Sequence, residues 1–226
     1  MVVSPPGRLH ATPWSLLPAL ADVPVSVAPS AALWLRARAS RPPTGARVLI
    51  AGPGLESGGA ELDALARRHT EAVLLRDGEA TVERSLAALD GAGVAHVAAH
   101  GRFRDDSPMF SSLDLDDGPL TVHDLERLDR APHRMVLSAC ESGVVAPIGA
   151  GEMLGLVTAM ISMGSAGVVS SVAKVNDRAT ADLMLDVHAA MDDGDDLGHV
   201  LLRARVAARG DRVREATAAA FLAMGV

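Results

Sequence analysis

The chain has 226 residues, of which 49% are hydrophobic and 22% charged, so it can bury a core and is neither disordered nor fibrous. Its net charge of -7 and aromatic content of 2% argue against a nucleic-acid partner, because such proteins usually carry a basic excess or aromatic residues on which bases stack. Cys140 is the one cysteine, which excludes an intrachain disulfide and favours a cytoplasmic location. We see no signal peptide and no apolar run of about 18 residues, so we expect no membrane segment.

The first 45 residues contain eight prolines and are predicted to form an irregular N-terminal segment of the same domain. Beyond them, short apolar runs predict five buried strands, over residues 48–51, 72–75, 94–99, 134–139 and 166–172. Apolar residues at helical spacing predict helices over residues 58–69, 79–89 and 152–163, and two or three more that begin near residues 177, 195 and 211. This alternation predicts an α/β fold, with residues 1–226 as one domain and a mostly parallel sheet covered by helices on both faces.

One segment between the third and fourth predicted strands departs from this alternation. Residues 111–117 alternate in polarity and run into Asp117-Gly118, a dipeptide typical of hairpin turns. We therefore predict a small β-hairpin within residues 101–119, at the rim of the sheet.

Two reactive side chains follow the third and fourth predicted strands, at the sheet edge where α/β proteins bind ligands. The third strand leads into His100-Gly101 and the fourth into Cys140-Glu141. If the two strands are neighbours, His100 and Cys140 emerge side by side, and an adjacent imidazole can supply the thiolate that attacks a carbonyl. The backbone N–H groups of Gly101 and Cys140 would then form an oxyanion hole. The residues alone leave a second interpretation open, in which Cys140 is a small buried hydrophobic residue.

An ordered set of sequence blocks along nearly the whole chain resembles the CHAT domain family, bacterial relatives of caspases and separases. The blocks are LHATPW (9–14), APS (28–30), HVAAHG (96–101), SSL (111–113), LSACESG (137–143), GE (151–152) and AGVV (166–169). The resemblance implies a caspase-like three-layer α/β/α sandwich and a cysteine endopeptidase that uses His100 and Cys140 as a dyad. It further implies an acyl-enzyme, no metal or other cofactor, a peptide or protein substrate, and regulation by a helical-repeat (TPR-like) region or another protein.

The chain departs from the family pattern in two places. Family members often have a Trp in the segment after the fifth strand, where this chain has Ala173, so we expect a reshaped first substrate subsite. The chain also begins almost at the Pro-Trp block, whereas CHAT domains usually have more residues before it. We expect either a domain that lacks its N-terminal part or a stand-alone remnant that needs a partner.

Asp177, Glu141 and Ser171 are the candidate substrate-binding residues, because they lie next to the proposed nucleophile or in the segment beside the expected specificity pocket. An acidic Asp177 would select a basic side chain before the cleaved bond. Asp177 also precedes a helical pattern, where an N-cap or first-turn aspartate needs no substrate to explain it. Glu141 is equally well explained as a solvated carboxylate at the rim.

Three other functional interpretations follow from the sequence. Gly52-Pro53-Gly54 after a strand, with Asp77 at the end of the next, has the approximate spacing of a dinucleotide-binding unit, although Pro53 removes an N–H from the turn. His96 and His100 have the spacing of a helical zinc motif, but on a strand they lie about 13 Å apart, too far to share a metal. A catalytically silent interaction module with a caspase-like fold is the third possibility.

Overall fold

The computed structural model describes residues 1–6, 9, 12–40, 45–55, 59–102, 110–138, 151–173 and 175–226, and only the backbone of residues 151–155 and 177. The strands are β1 (Val2–Val3), β2 (Ser26–Val27), β3 (Arg47–Ala51), β4 (Val73–Leu75), β5 (Val94–Ala98), β6 (Gly101–Arg102), β7 (Ser112–Leu115), β8 (Gly118–Thr121), β9 (Arg134–Ser138), β10 (Gly167–Ser171) and β11 (Phe221–Gly225). The helices are α1 (Ala31–Ala39), α2 (Ala60–Arg68), α3 (Val82–Leu89), α4 (Val122–Leu125), α5 (Gly151–Met163), α6 (Asp177–Asp192), α7 (Leu197–Ala207) and α8 (Arg212–Ala219). In the described part of the chain, no helix is both long and apolar enough to span a bilayer.

The main sheet has eight strands in the order β1-β2-β11-β10-β9-β5-β3-β4. The five strands predicted from the sequence, β4, β3, β5, β9 and β10, are all parallel and adjacent. β11 is antiparallel to β10 and parallel to β2, which reverses the direction of the sheet at one side. The prediction of a mostly parallel sheet is therefore confirmed.

Helices cover both faces of the sheet because the buried strands alternate their side chains between two cores. Val48 and Ile50 of β3 face a core that includes residues of α3 and α5. Leu49, between them, faces the opposite side and packs with Leu62 and Leu65 of α2. Next to α2 on that side, α6, α7 and α8 form a further core over β9, β10 and β11. The molecule is thus the expected three-layer α/β/α sandwich.

The N-terminal 45 residues differ from the predicted irregular segment, since they contain β1, β2 and α1 as well as short 3-10 turns. β2 adds to the sheet by pairing Val27 with Met224 of β11. Ser30 begins α1 as its N-cap, with its hydroxyl accepting the Leu33 N–H at 3.2 Å. The sequence did not predict these elements, because two-residue strands are too short to show a periodicity and α1 mixes apolar and charged residues around its circumference.

The predicted hairpin is confirmed as β7 and β8, with β6 as a third strand in a separate small sheet. Its turn is one residue earlier than the sequence predicts. Leu115 pairs with Gly118, so Asp116 and Asp117 form the turn in place of Asp117-Gly118. The side chains of these two aspartates bind backbone N–H groups of the segment before and at the start of α3, which fixes the turn at this position.

Candidate active site

The register of β5 and β9 defines the centre of the candidate site. The two strands are parallel neighbours, and Ala98 pairs with Ser138 at their carboxyl ends. His100 and Cys140 each follow this pair by two residues in the sequence. Adjacent strands are separated by about 4.8 Å, so this register is the one that a dyad at the strand ends requires. Cys140 and Glu141 themselves lie outside the described residues, and the contact between His100 and Cys140 stays a prediction.

The His100 imidazole is held by the turn that follows β3. Its Nε2 lies 3.1 Å from the carbonyl oxygen of Gly54. A carbonyl oxygen can only accept a hydrogen bond, so Nε2 carries the proton and the lone pair of the neutral ring is on Nδ1. Gly54 has a φ of +73°, a conformation that favours glycine and turns its carbonyl towards the ring. The turn thereby selects the tautomer that a general base acting through Nδ1 needs.

Gly101 lies in β6, buried and opposite Leu113 of β7. The adjoining ladder bond runs from the Asp114 N–H to the His100 carbonyl oxygen at 2.8 Å. In an antiparallel ladder this makes Gly101 and Leu113 a non-hydrogen-bonded pair, whose N–H groups point away from the partner strand. The Gly101 N–H is therefore directed away from β7, as a donor in an oxyanion hole must be.

Ser171 ends β10, the strand next to β9, and therefore lies at the same edge of the sheet. Its side chain is buried, and its hydroxyl donates to the Ala173 carbonyl oxygen and accepts the Ala173 N–H at 3.3 Å. These bonds shape the chain after β10. Ser171 is thus at the predicted place, with its hydroxyl engaged in the turn that leads to Ala173.

Asn176, which the sequence analysis did not single out, is the N-cap of α6. Its side-chain oxygen accepts the Ala179 N–H at 3.0 Å. Asp177 is the first residue of the helix, where a negative charge is favourable next to the helix dipole, and its side chain is outside the description. Asparagine directly before the helical pattern is the signal that identifies this cap from sequence.

A cavity of about 310 Å³ lies at the carboxyl ends of β3 and β4, and Gly54, which contacts His100, is one of its lining residues. It is the place where the sequence suggested a dinucleotide. Asp77 and Asp116 line it, and Arg76, the cation in its wall, is paired with Asp63 and Asp77. Two carboxylates around a neutralised cation disfavour phosphate binding. The Gly52–Leu55 turn instead supplies the carbonyl group that orients His100.

Comparisons with known proteins identify the family and the fold of the chain. The sequence profile described as "CHAT domain" matches residues 1–225. No curated protein matches the sequence closely enough to count as a relative. Among solved structures, the chain is similar to Saccharomyces cerevisiae separase in its complex with securin, with a TM-score of 0.68 and 15% identity, covering 96% of this chain and 14% of that one. It is also similar to the Arg-specific cysteine proteinase gingipain R, with a TM-score of 0.57 and 12% identity, covering 79% of this chain and 46% of that one.

At these identities the two structures bear on the fold alone, and the chain spans less than half the length of either. They confirm the caspase-like form of the α/β/α sandwich. The profile match, by contrast, extends over nearly every residue and includes both the His100 and the Cys140 blocks. The chain belongs to the CHAT domain family.

Proposed function

We propose that this chain is a cysteine endopeptidase in which His100 is the general base and Cys140 the nucleophile. The observation that carries the proposal is the register of β5 and β9, which aligns Ala98 with Ser138 two residues before each of them. The hydrogen bond between His100 Nε2 and the Gly54 carbonyl oxygen supports the same role, because it leaves the basic lone pair on Nδ1.

The reaction would proceed through a thioester. His100 Nδ1 takes the proton of the Cys140 thiol, and the sulfur forms a bond to the carbonyl carbon of the peptide. The N–H groups of Gly101 and Cys140 donate to the resulting oxyanion. Collapse of this intermediate breaks the C–N bond, and His100 gives its proton to the leaving amine. A water molecule, deprotonated by His100, then hydrolyses the thioester, which releases the acid and restores the thiol.

The substrate we propose is a peptide or protein segment that lies across the carboxyl edge of β5, β9 and β10. Asp177, Glu141 and Ser171 would line its binding site. An acidic residue at this edge would favour a basic side chain before the cleaved bond, and gingipain R is described as Arg-specific. We further propose a bacterial, cytoplasmic enzyme controlled by a protein partner or a helical-repeat region, by analogy with separase, which is found with securin.

Alkylation of Cys140 by iodoacetamide, followed by intact mass across pH, tests the dyad without a known substrate. The single cysteine makes the signal specific. The pKa of a free thiol is about 8.5, whereas the pKa of a histidine-paired thiol lies between about 3.5 and 7.5. We expect rapid labelling at pH 6 in the wild type and a loss of at least about tenfold in His100→Ala, because the imidazolium no longer stabilises the thiolate.

His123→Ala is the matched control, since it removes an imidazole that is 75% exposed and paired with Glu126 outside the candidate site. It should label like the wild type. Slow labelling in all three proteins, with the midpoint of the pH profile at about 8.5, would contradict the dyad. It would favour the catalytically silent interaction module.

A further inference from the structure

The small sheet holds both residues that we assign to the chemistry of the site and that the structure describes. The Asp114 N–H binds the His100 carbonyl oxygen at 2.8 Å, and Gly101 pairs with Leu113. The position of β7 therefore sets the positions of His100 and of the Gly101 N–H. Whatever holds the β7–β8 hairpin holds the proposed base and the proposed oxyanion donor with it.

The hairpin is not part of the main sheet. Among the described strands, β6, β7 and β8 pair only with one another. Leu113, Leu115 and Leu120 anchor the hairpin in the core by apolar contacts, which are not directional. Its turn adds a directional attachment, by hydrogen bonds to the segment between β4 and α3.

Asp116, in this turn, makes three hydrogen bonds to the short segment between β4 and α3. Its Oδ2 accepts the N–H groups of Gly78 at 2.8 Å and of Ala80 at 2.9 Å. Its own N–H donates to the Ala80 carbonyl oxygen at 3.0 Å. Asp77 and Gly78 have φ values of +54° and +92°, and the Glu79 N–H, which lies between the two donors, closes the turn on the Arg76 carbonyl oxygen at 3.0 Å.

Asp117 extends the same attachment to the helix that follows. Its Oδ1 accepts the N–H of Val82, the first residue of α3, at 2.8 Å. A carboxylate is favoured there because the first N–H groups of a helix lack partners within the helix and carry partial positive charge. Both turn residues thus use charged acceptors, which form stronger hydrogen bonds than neutral ones.

We propose that Asp116 is a positioning residue of the active site, which fixes the hairpin so that His100 and Gly101 keep the geometry required by Cys140. The proposal rests on the proposed function. Asp116 does not touch the reacting atoms. It acts through β7, by way of the bond from Asp114 to His100 and the pairing of Leu113 with Gly101. A residue that only stabilised the fold would leave the reactivity of the thiol unchanged once the protein is folded.

Two variants and a matched control test this role. Asp116→Ala removes the acceptor, whereas Asp116→Asn keeps a neutral oxygen in the same place. Asp211→Ala removes the same kind of bond elsewhere, because Asp211 accepts the N–H groups of Val213 and Arg214 at 2.9 and 3.2 Å. It caps α8, which packs by β11, three strands from β5 in the sheet. Each variant is compared with the wild type by thermal unfolding, by amide hydrogen exchange of residues 100–115, and by the pH profile of Cys140 alkylation.

In Asp116→Ala we expect faster exchange of the Asp114 amide and about tenfold slower alkylation at pH 6, because a displacement of about 1 Å in a catalytic group has effects of this order or more. Asp116→Asn should recover most of this loss. Asp211→Ala should lower the unfolding temperature without changing either readout. These results together would support the proposal.

Wild-type reactivity in a folded Asp116→Ala protein would overturn the positioning role and leave the dyad intact. Equal losses in Asp116→Ala and Asp211→Ala would overturn it as well, since stability alone would then explain them. If the pH profile of alkylation in the wild type has its midpoint at about 8.5, the dyad is contradicted. The positioning role then fails with it, whatever the amide exchange rates are.

Discussion

Gly52 shows how closely the hairpin approaches the end of β3. A Cβ atom at this position would lie 2.4 Å from the Asp114 carbonyl oxygen and 2.9 Å from the Ala99 Cβ. The first contact is with backbone, which cannot move without displacing β7. We therefore expect Gly52→Ala to lower the free energy of unfolding by about 1–3 kcal/mol, the range typical of overpacking, as measured by urea denaturation.

Gly198→Ala is the matched control for this substitution. The nearest atom to a Cβ at Gly198 is the Ser26 hydroxyl at 2.9 Å, a side-chain atom that can rotate away. Gly198 also lies within α7, where alanine is favoured over glycine by about 1 kcal/mol. Gly198→Ala should thus lower the free energy of unfolding by less than Gly52→Ala does. Equal decreases would show that the hairpin backbone does not restrict residue 52.

At the scale of elements, a chain of polar groups joins α6 to the sheet and runs from the exposed Asp192 to the buried His96. Arg47 of β3 donates to Nδ1 of His188 at 2.7 Å and to Nε2 of His69 at 2.9 Å, and it binds Asp192 at 2.7 Å. Because His188 Nδ1 accepts, its Nε2–H donates to Nδ1 of His96 in β5, at 2.8 Å. His96 Nε2 then carries the other proton, buried and without a partner among the described residues. The arrangement requires both buried histidines to be neutral.

This interface should make stability depend on pH. Burial, with the nearby Arg47 charge, lowers the pKa of His96 to about 3, and burial next to His96 and Arg47 lowers the pKa of His188 well below its usual value. Burial also lowers the pKa of His69, and Arg68 adds positive charge to the interface, which Asp192 partly offsets.

Below pH 6.5 the unfolded chain binds protons that the native chain excludes, so the free energy of unfolding should fall from pH 6.5 towards pH 3 and stay level above pH 6.5. Each excluded proton contributes about 1.4 kcal/mol per pH unit.

Urea unfolding between pH 3 and pH 8 measures this slope. His188→Gln keeps a donor and an acceptor but removes one titrating group, so its slope should be smaller by about one proton. His123→Gln, which changes a histidine that is 75% exposed and outside this interface, should keep the wild-type slope. A His188→Gln slope equal to that of the wild type would show that the buried histidines do not govern the acid response.

At the scale of the whole molecule, the sequence predicted the five-stranded parallel centre of the sheet, because strands buried on both faces form continuous apolar runs. It did not predict β1, β2 or β11. The first two have two residues each, too few for a pattern. β11 follows α8 with no glycine or proline between them, and its pairing with β10 depends on residues 50 to 58 positions away in sequence.

The adjacent strand ends of the candidate site were predictable for related reasons. His100-Gly101 and Cys140 stand at the ends of predicted strands, and parallel topology brings such ends together. The Gly54 carbonyl contact was not predictable, because backbone acceptors leave no side-chain signature. The bonds of Asp116 to Gly78 and Ala80 depend on how a hairpin tip meets a distant turn, which local patterns do not encode.

The N-terminal segment can be tested for cooperativity with the rest of the chain, because it contains both tryptophans, Trp14 and Trp34. Tryptophan fluorescence therefore reports on this segment alone, while far-UV circular dichroism reports mainly on α2–α8. Arg36 of α1 donates to carbonyl oxygens near the end of α5, and Ser15 donates to Ala219 at 3.3 Å. With β2 paired to β11, these bonds should make the segment part of one folding unit.

We expect the two signals to give the same midpoint and slope in urea, the behaviour of a single two-state transition. Arg36→Ala should shift both midpoints together to lower urea, since the α1–α5 contact is then lost by the whole unit. If fluorescence changed first while circular dichroism stayed native, the N-terminal segment would be a separately folding unit. If the fluorescence and circular dichroism curves coincide in the wild type and in Arg36→Ala, the sheet edge built from two-residue strands unfolds together with the parallel centre. The edge is then as stable as the centre, because β11 joins the edge and the centre into one core.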